Sequence, residues 1–115
     1  MIVFLHNARC SKSREALKLI KESKRNFTMR EYLKNPLDLG ELQDIQKKLN
    51  LKAIDFTRTK EAEFEEAKLT KNSSDLEILK AMVRFPKLME RAIISDDTRA
   101  FVCRPVEEVL RIFRK

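Results

Sequence analysis

Two cysteines and one histidine are all the thiol and imidazole groups that the 115-residue chain carries. Cys10 closes Asn7-Ala8-Arg9-Cys10 and opens Ser11-Lys12-Ser13-Arg14, with an apolar run before it and a helical pattern after it. A thiol at a helix start faces backbone N–H groups that lack intrahelical partners and the positive end of the helix dipole. Both favour the thiolate, as do the cations Arg9, Lys12 and Arg14, so Cys10 is expected to be a reactive nucleophile. The same amides suit a bound oxyanion. From Cys10 to Ser13 the motif is C-x-x-S. With no second thiol one turn away, a disulfide formed on Cys10 needs Cys103 or an external thiol to open it. The plain alternative is a partly buried cysteine that happens to precede a helix.

The other candidates are weaker by themselves. Cys103 ends the apolar run Ala100-Phe101-Val102-Cys103 and reads as a buried, inert thiol before it reads as a resolving one. Ser13 can donate to the Cys10 thiolate or bond to backbone as first-turn serines do. One histidine and two distant cysteines make a poor ligand set, so neither a metal nor a bound cofactor is expected.

These residues must be positioned by a strand, a helix and a turn. Residues 2–5, Ile-Val-Phe-Leu, form an apolar run suited to a strand buried on both faces. From Ser11 to Lys24, Ala16, Leu17, Leu19 and Ile20 fall at helical spacing among charged residues. Phe27 to Tyr32 alternates as an edge strand and stops at Asn35-Pro36. Asp38 with Glu41, and Ser74 with Glu77, are capping boxes that open two further helices, one to Leu49 and one stopping before Pro86. Leu51 to Leu69 is less regular and reads as short helices linked by turns. The runs 92–95 and 100–103 flank Asp96-Asp97-Thr98-Arg99 as a hairpin, and a last helix after Pro105 turns Val106, Val109, Leu110 and Phe113 inward. The order is βαβ, then helices, then ββα: an α/β protein of thioredoxin-like order, with a mixed sheet and a helical insertion. One domain over residues 1–115 is expected, with the insert at about 38–90.

Composition narrows the class. At 43% hydrophobic and 37% charged residues, with one glycine and three prolines, the chain is globular rather than disordered. No secretory signal and no membrane-length apolar stretch is evident, so a cytoplasmic location with reduced thiols is expected. A net charge of +7 favours anionic partners. The cations alternate with Glu and Asp as on solvated helix faces, so nucleic acid and membrane are not expected partners, and a monomer is the default.

His6-Asn7-x-x-Cys10-x-x-Ser13-Arg14, Arg58 within Phe-Thr-Arg-Thr-Lys, Arg91 within Glu-Arg-Ala-Ile-Ile, and Cys103-Arg104-Pro105 resemble, in order and spacing, the glutaredoxin-coupled arsenate reductase (ArsC) family of thioredoxin-like proteins. The resemblance covers nearly the whole chain. It implies that the Cys10 thiolate attacks arsenate, or a similar oxyanion, held by Arg58, Arg91 and Arg104. Glutathione, the co-substrate, then attacks the thiol-bound arsenate, and glutaredoxin reduces the resulting mixed disulfide. Three guanidiniums offer planar, multidentate donors to a tetrahedral oxyanion and offset the charge that would repel a thiolate. By the same resemblance His6, Asn7, Ser13 and Arg14 support the site. His6 either assists ionisation of the thiol or is a strand-end histidine bonded to backbone.

The chain also departs from the family. Ala92 stands where a proline, commonly cis, follows the arginine matched by Arg91, and Ala8 and Arg9 replace a proline and a small residue. If Ala92 misdirects Arg91, then Ala92→Pro should raise arsenate turnover. The alternative function is a thiol-redox or partner-binding member that does not act on arsenate. Spx-like regulators share the fold, but they carry C-x-x-C, which Ser13 removes, and lack the arginine set.

Overall fold

The computed structural model describes residues 1–90 and 92–114, in two compact units: residues 1–35 with the stretch from 92 onward, and Pro36–Glu90.

In the first unit the apolar run becomes strand β1, Val3–His6, and the sheet order β2-β1-β3-β4 explains its composition. Flanked on both sides, β1 can carry buried Phe4, Leu5 and His6 in succession. Helix α1, Ser11–Glu22, leads to β2, Thr28–Glu31, which pairs parallel to β1 with His6 opposite Glu31. β3, Ile93–Ser95, runs antiparallel to β1, and β4, Ala100–Val102, antiparallel to β3. The fold is the mixed, thioredoxin-like α/β arrangement that the element order implies.

The hairpin between β3 and β4 is held by charge. The Asp96 carboxylate accepts the Thr98 and Arg99 amides, while the Arg99 guanidinium donates to Asp96 and to the Ile112 and Arg114 carbonyls. Burial alone would raise the Asp96 pKa, but these donors outweigh it and hold the carboxyl at about 2. The last helix, Val106–Phe113, is a 3₁₀ helix, and this changes its inward face. In 3₁₀ geometry side chains three apart eclipse, so Val106, Val109 and Ile112 are buried while Leu110 and Phe113 are only partly so. The core joins Phe4 and Ile94 of the sheet, Ala16 and Ile20 of α1, and Cys103 with this helix.

The second unit is helical. Helix α2, Leu39–Leu49, begins with the Asp38–Glu41 capping box and stops where Asn50 turns left-handed at φ 56°. A 3₁₀ turn at Ala53–Phe56 and the short helix α3, Ala62–Glu66, fill the irregular stretch, and α4, Asp75–Arg84, begins with the Ser74–Glu77 box. The Asp75 carboxylate accepts from Gln46 Nε2 and the Ala53 amide, tying α2, the 3₁₀ turn and α4 together. No described helix is long and apolar enough to cross a membrane.

Candidate active site

The junction between β1 and α1 is built around Asn7. Its carbonyl accepts the Cys10 amide at 3.0 Å, its side-chain Oδ1 accepts the Arg9 amide at 3.1 Å, and its own amide donates to Ser13 Oγ at 3.0 Å. Arg14 adds a clamp, its Nη1 donating to the Ala8 carbonyl at 2.8 Å. The turn holding Cys10 is therefore fixed from both sides, by β1 and by the first turn of α1.

Cys10 is the N-cap residue of α1, with extended backbone, φ −96° and ψ 122°. Serine, threonine or aspartate at this position would offer an oxygen to the amides of the first turn. Here a thiol occupies the place, its side chain makes no cap hydrogen bond, and no acidic residue stands in the first turn. A negative sulfur or a bound oxyanion would find there the Ser11, Lys12 and Ser13 amides, which no intrahelical carbonyl satisfies. Cys10 itself is 5% exposed, so little of its surface is open to reagents.

Ser13 is fully buried, and of its two expected roles the hydroxyl takes the bond to backbone. It accepts the Asn7 amide and lies 2.7 Å from His6 Nδ1. With one lone pair taken, the hydroxyl is best used as a donor to Nδ1, which puts the imidazole proton on Nε2. His6 correspondingly bonds to a side chain rather than to backbone. Burial lowers its pKa from the usual value, opposed by Glu31 and reinforced by Arg14 and Lys21, so the neutral ring is favoured. His6 thus braces the turn through Ser13, with burial favouring its neutral form.

The arginines fall into different parts of the structure. Arg104 follows β4 with an exposed side chain, its amide donating to the Val102 carbonyl, and the Arg104–Pro105 peptide is cis. Arg58 belongs to the second unit, where its amide donates to the Leu88 carbonyl at 2.7 Å. Its guanidinium Nη2 lies 2.8 Å from Glu61 Oε1, with the arginine side chain 24% exposed. Glu61 is a partner that the motif did not reveal, although its i, i+3 spacing from Arg58 was readable. Arg91 lies outside the described residues. Next to it, Ala92 is buried with φ 58°, a left-handed value that the proline ring, fixed near −65°, cannot adopt. The gain expected of Ala92→Pro therefore does not follow from this backbone.

Cys103 lies in the core cluster, and burial pushes its thiol up to about 12. Both cysteines are free. Among the described residues no group of His, Cys, Asp and Glu could hold a metal ion.

A mixed four-stranded sheet with a cysteine capping the helix after its central first strand defines a thioredoxin-like α/β protein with a thiol at the strand–helix junction. The family profile described as the ArsC family matches residues 5–112. The chain is 42% identical over 109 residues to the uncharacterized protein YfgD of Escherichia coli K12, covering 93% of this chain and 92% of that one. It is 39% identical over 110 residues to an arsenate reductase of Neisseria meningitidis, covering 94% of each. The solved arsenate reductase from Vibrio cholerae superposes with a TM-score of 0.91 at 34% identity, covering 96% of each chain. The chain belongs to the ArsC family.

Proposed function

We propose that this protein is a thiol-dependent arsenate reductase in which Cys10 is the nucleophile. The observation that carries the reading is the thiol at the N-cap of a 12-residue helix, in a turn fixed by Asn7, Ser13 and Arg14 and without a first-turn carboxylate. The names of the Neisseria and Vibrio relatives support arsenate as the substrate. Cys10 sulfur attacks arsenic(V) and one arsenate oxygen leaves as water. Glutathione sulfur then attacks the Cys10 sulfur. The S–As bond breaks, its electron pair stays on arsenic, and arsenite is released as arsenic(III). Two thiols have become one disulfide, which balances the two electrons that arsenic gains. A glutaredoxin thiol then takes over the glutathionyl group and frees Cys10.

Arg58, Arg91 and Arg104 are assigned to the oxyanion, where guanidiniums offset the charge between thiolate and arsenate. For Arg58 this requires the anion to replace Glu61 as its partner. The test is arsenate-dependent NADPH oxidation with glutathione, glutaredoxin and glutathione reductase supplied. Cys10→Ser should abolish turnover. Each arginine-to-alanine change should lower kcat/KM by about tenfold or more, as loss of a charged hydrogen bond does. Glu61→Gln should lower KM for arsenate by freeing Arg58. Wild-type protein that turns over no arsenate under these conditions refutes the reading.

A further inference from the structure

One charged face of the first unit extends along α1 beyond the Cys10 turn that Arg14 clamps. Along α1, Arg14, Lys18 and Lys21 fall on one side together with Leu17, and with Glu22 at the far end they line a shallow concavity of about 400 Å³. The flank of the helix carries its own ion pair, Lys12 with Glu15 at 3.9 Å. Lys18 and Lys21 by contrast make no ion pair among the described residues. Three cations against one carboxylate, on an exposed helix that begins at the nucleophile, form a field next to the thiol.

We propose that this face of α1 docks an acidic surface of the thiol protein that regenerates Cys10. The proposal rests on the thiol chemistry assigned above and names the surface its protein partner uses. Length argues for a protein over a small thiol. At 1.5 Å per residue, Lys21 lies about 16 Å along the axis from Cys10, whereas a tripeptide thiol, about 10 Å long when extended, does not span that distance. Composition argues against nucleic acid. Leu17 at the centre gives an apolar contact of the kind found within protein interfaces, which a phosphate backbone would not fill. Carboxylates facing Lys18 and Lys21 would orient the incoming thiol toward the helix start and speed encounter at low salt.

The experiment is a titration of the ¹⁵N-labelled protein with a bacterial glutaredoxin of net negative charge whose active-site cysteines are replaced by serine, so that binding is read without chemistry. At about 25 mM salt, where charges act over more than 10 Å, amide shifts should centre on residues 14–22 of α1. Lys18→Glu should weaken binding by about tenfold and Lys18→Gln by less, with both effects fading at about 0.4 M salt. Lys18 is the site of choice because Arg14 clamps the Cys10 turn and the charge of Lys21 acts on His6. Shifts located away from α1, affinity unchanged in Lys18→Glu, or tighter binding of a DNA duplex to this face would each overturn the proposal. The glutathione-coupled assay reports separately. Salt-sensitive binding on α1 with no arsenate turnover would leave the docking face standing and refute the proposed reaction, and turnover insensitive to Lys18→Glu and to salt would do the reverse.

Discussion

Removing the Ser13 hydroxyl should loosen the Cys10 turn more than any other single-atom change near it. In Ser13→Ala the Asn7 amide loses its acceptor at 3.0 Å and His6 Nδ1 loses its partner at 2.7 Å. The residue is fully buried, so water cannot easily replace either bond. Each stranded group costs about 1–3 kcal/mol, which for two groups gives about 2–4 kcal/mol after partial relaxation. With a urea slope of about 1.5 kcal/mol per molar, the unfolding midpoint should fall by about 2 M. The functional consequence follows from Asn7, whose carbonyl holds the Cys10 amide. A freed Asn7 amide lets that carbonyl shift, so Cys10 alkylation by iodoacetamide should change rate at urea concentrations where both proteins stay folded. Repeating the change in a His6→Leu background should show coupling between the two sites, because a bond already broken cannot be lost again. A midpoint shift under about 0.3 M, or fully additive single changes, would show that the hydroxyl does not carry the turn.

Two further outcomes follow from the first unit. Burial raises the Cys103 thiol from 9.0 to about 12, so the unfolded chain loses its proton first. The stabilisation from keeping that proton is fully present below pH 9 and is lost as pH rises toward 12, on the order of 4 kcal/mol in all. Thermal melts of wild type and Cys103→Val should diverge from neutral to alkaline pH, with the valine variant losing less stability, and parallel curves would contradict the shift. At pH 7 only about one Cys103 in 10⁵ is thiolate by this value, so alkylation of the native protein should label Cys10 alone. At Ala92, φ 58° makes Ala92→Pro destabilising by about 3 kcal/mol or more, while Ala92→Gly should stay within about 1 kcal/mol of wild type because relief at positive φ offsets the lost methyl contact. A proline variant as stable as wild type would show that the backbone there is not left-handed.

The sequence by itself determined the elements, because their signals are local. An unbroken apolar run marks a strand flanked on both sides, two capping boxes mark two helix starts, and the position of Cys10 between strand and helix places a thiol at an N-cap. Its motifs also sufficed to indicate the ArsC family. Tertiary structure decided what depends on neighbours distant along the chain or on the exact helix period. The inward face of the last helix follows from its 3₁₀ geometry, which exchanges Ile112 for Leu110 and Phe113. Of the roles open to Ser13, packing selects the backbone bond, to the Asn7 amide, and adds His6, because a buried hydroxyl must satisfy the polar groups packed against it. His6 is held toward its neutral form by burial, and the Cys103 thiol likewise, because the cost of a charge is set by the surrounding medium. Residue types and spacing identify which groups can carry charge or share protons, but their desolvation and partners arise only when the chain has packed.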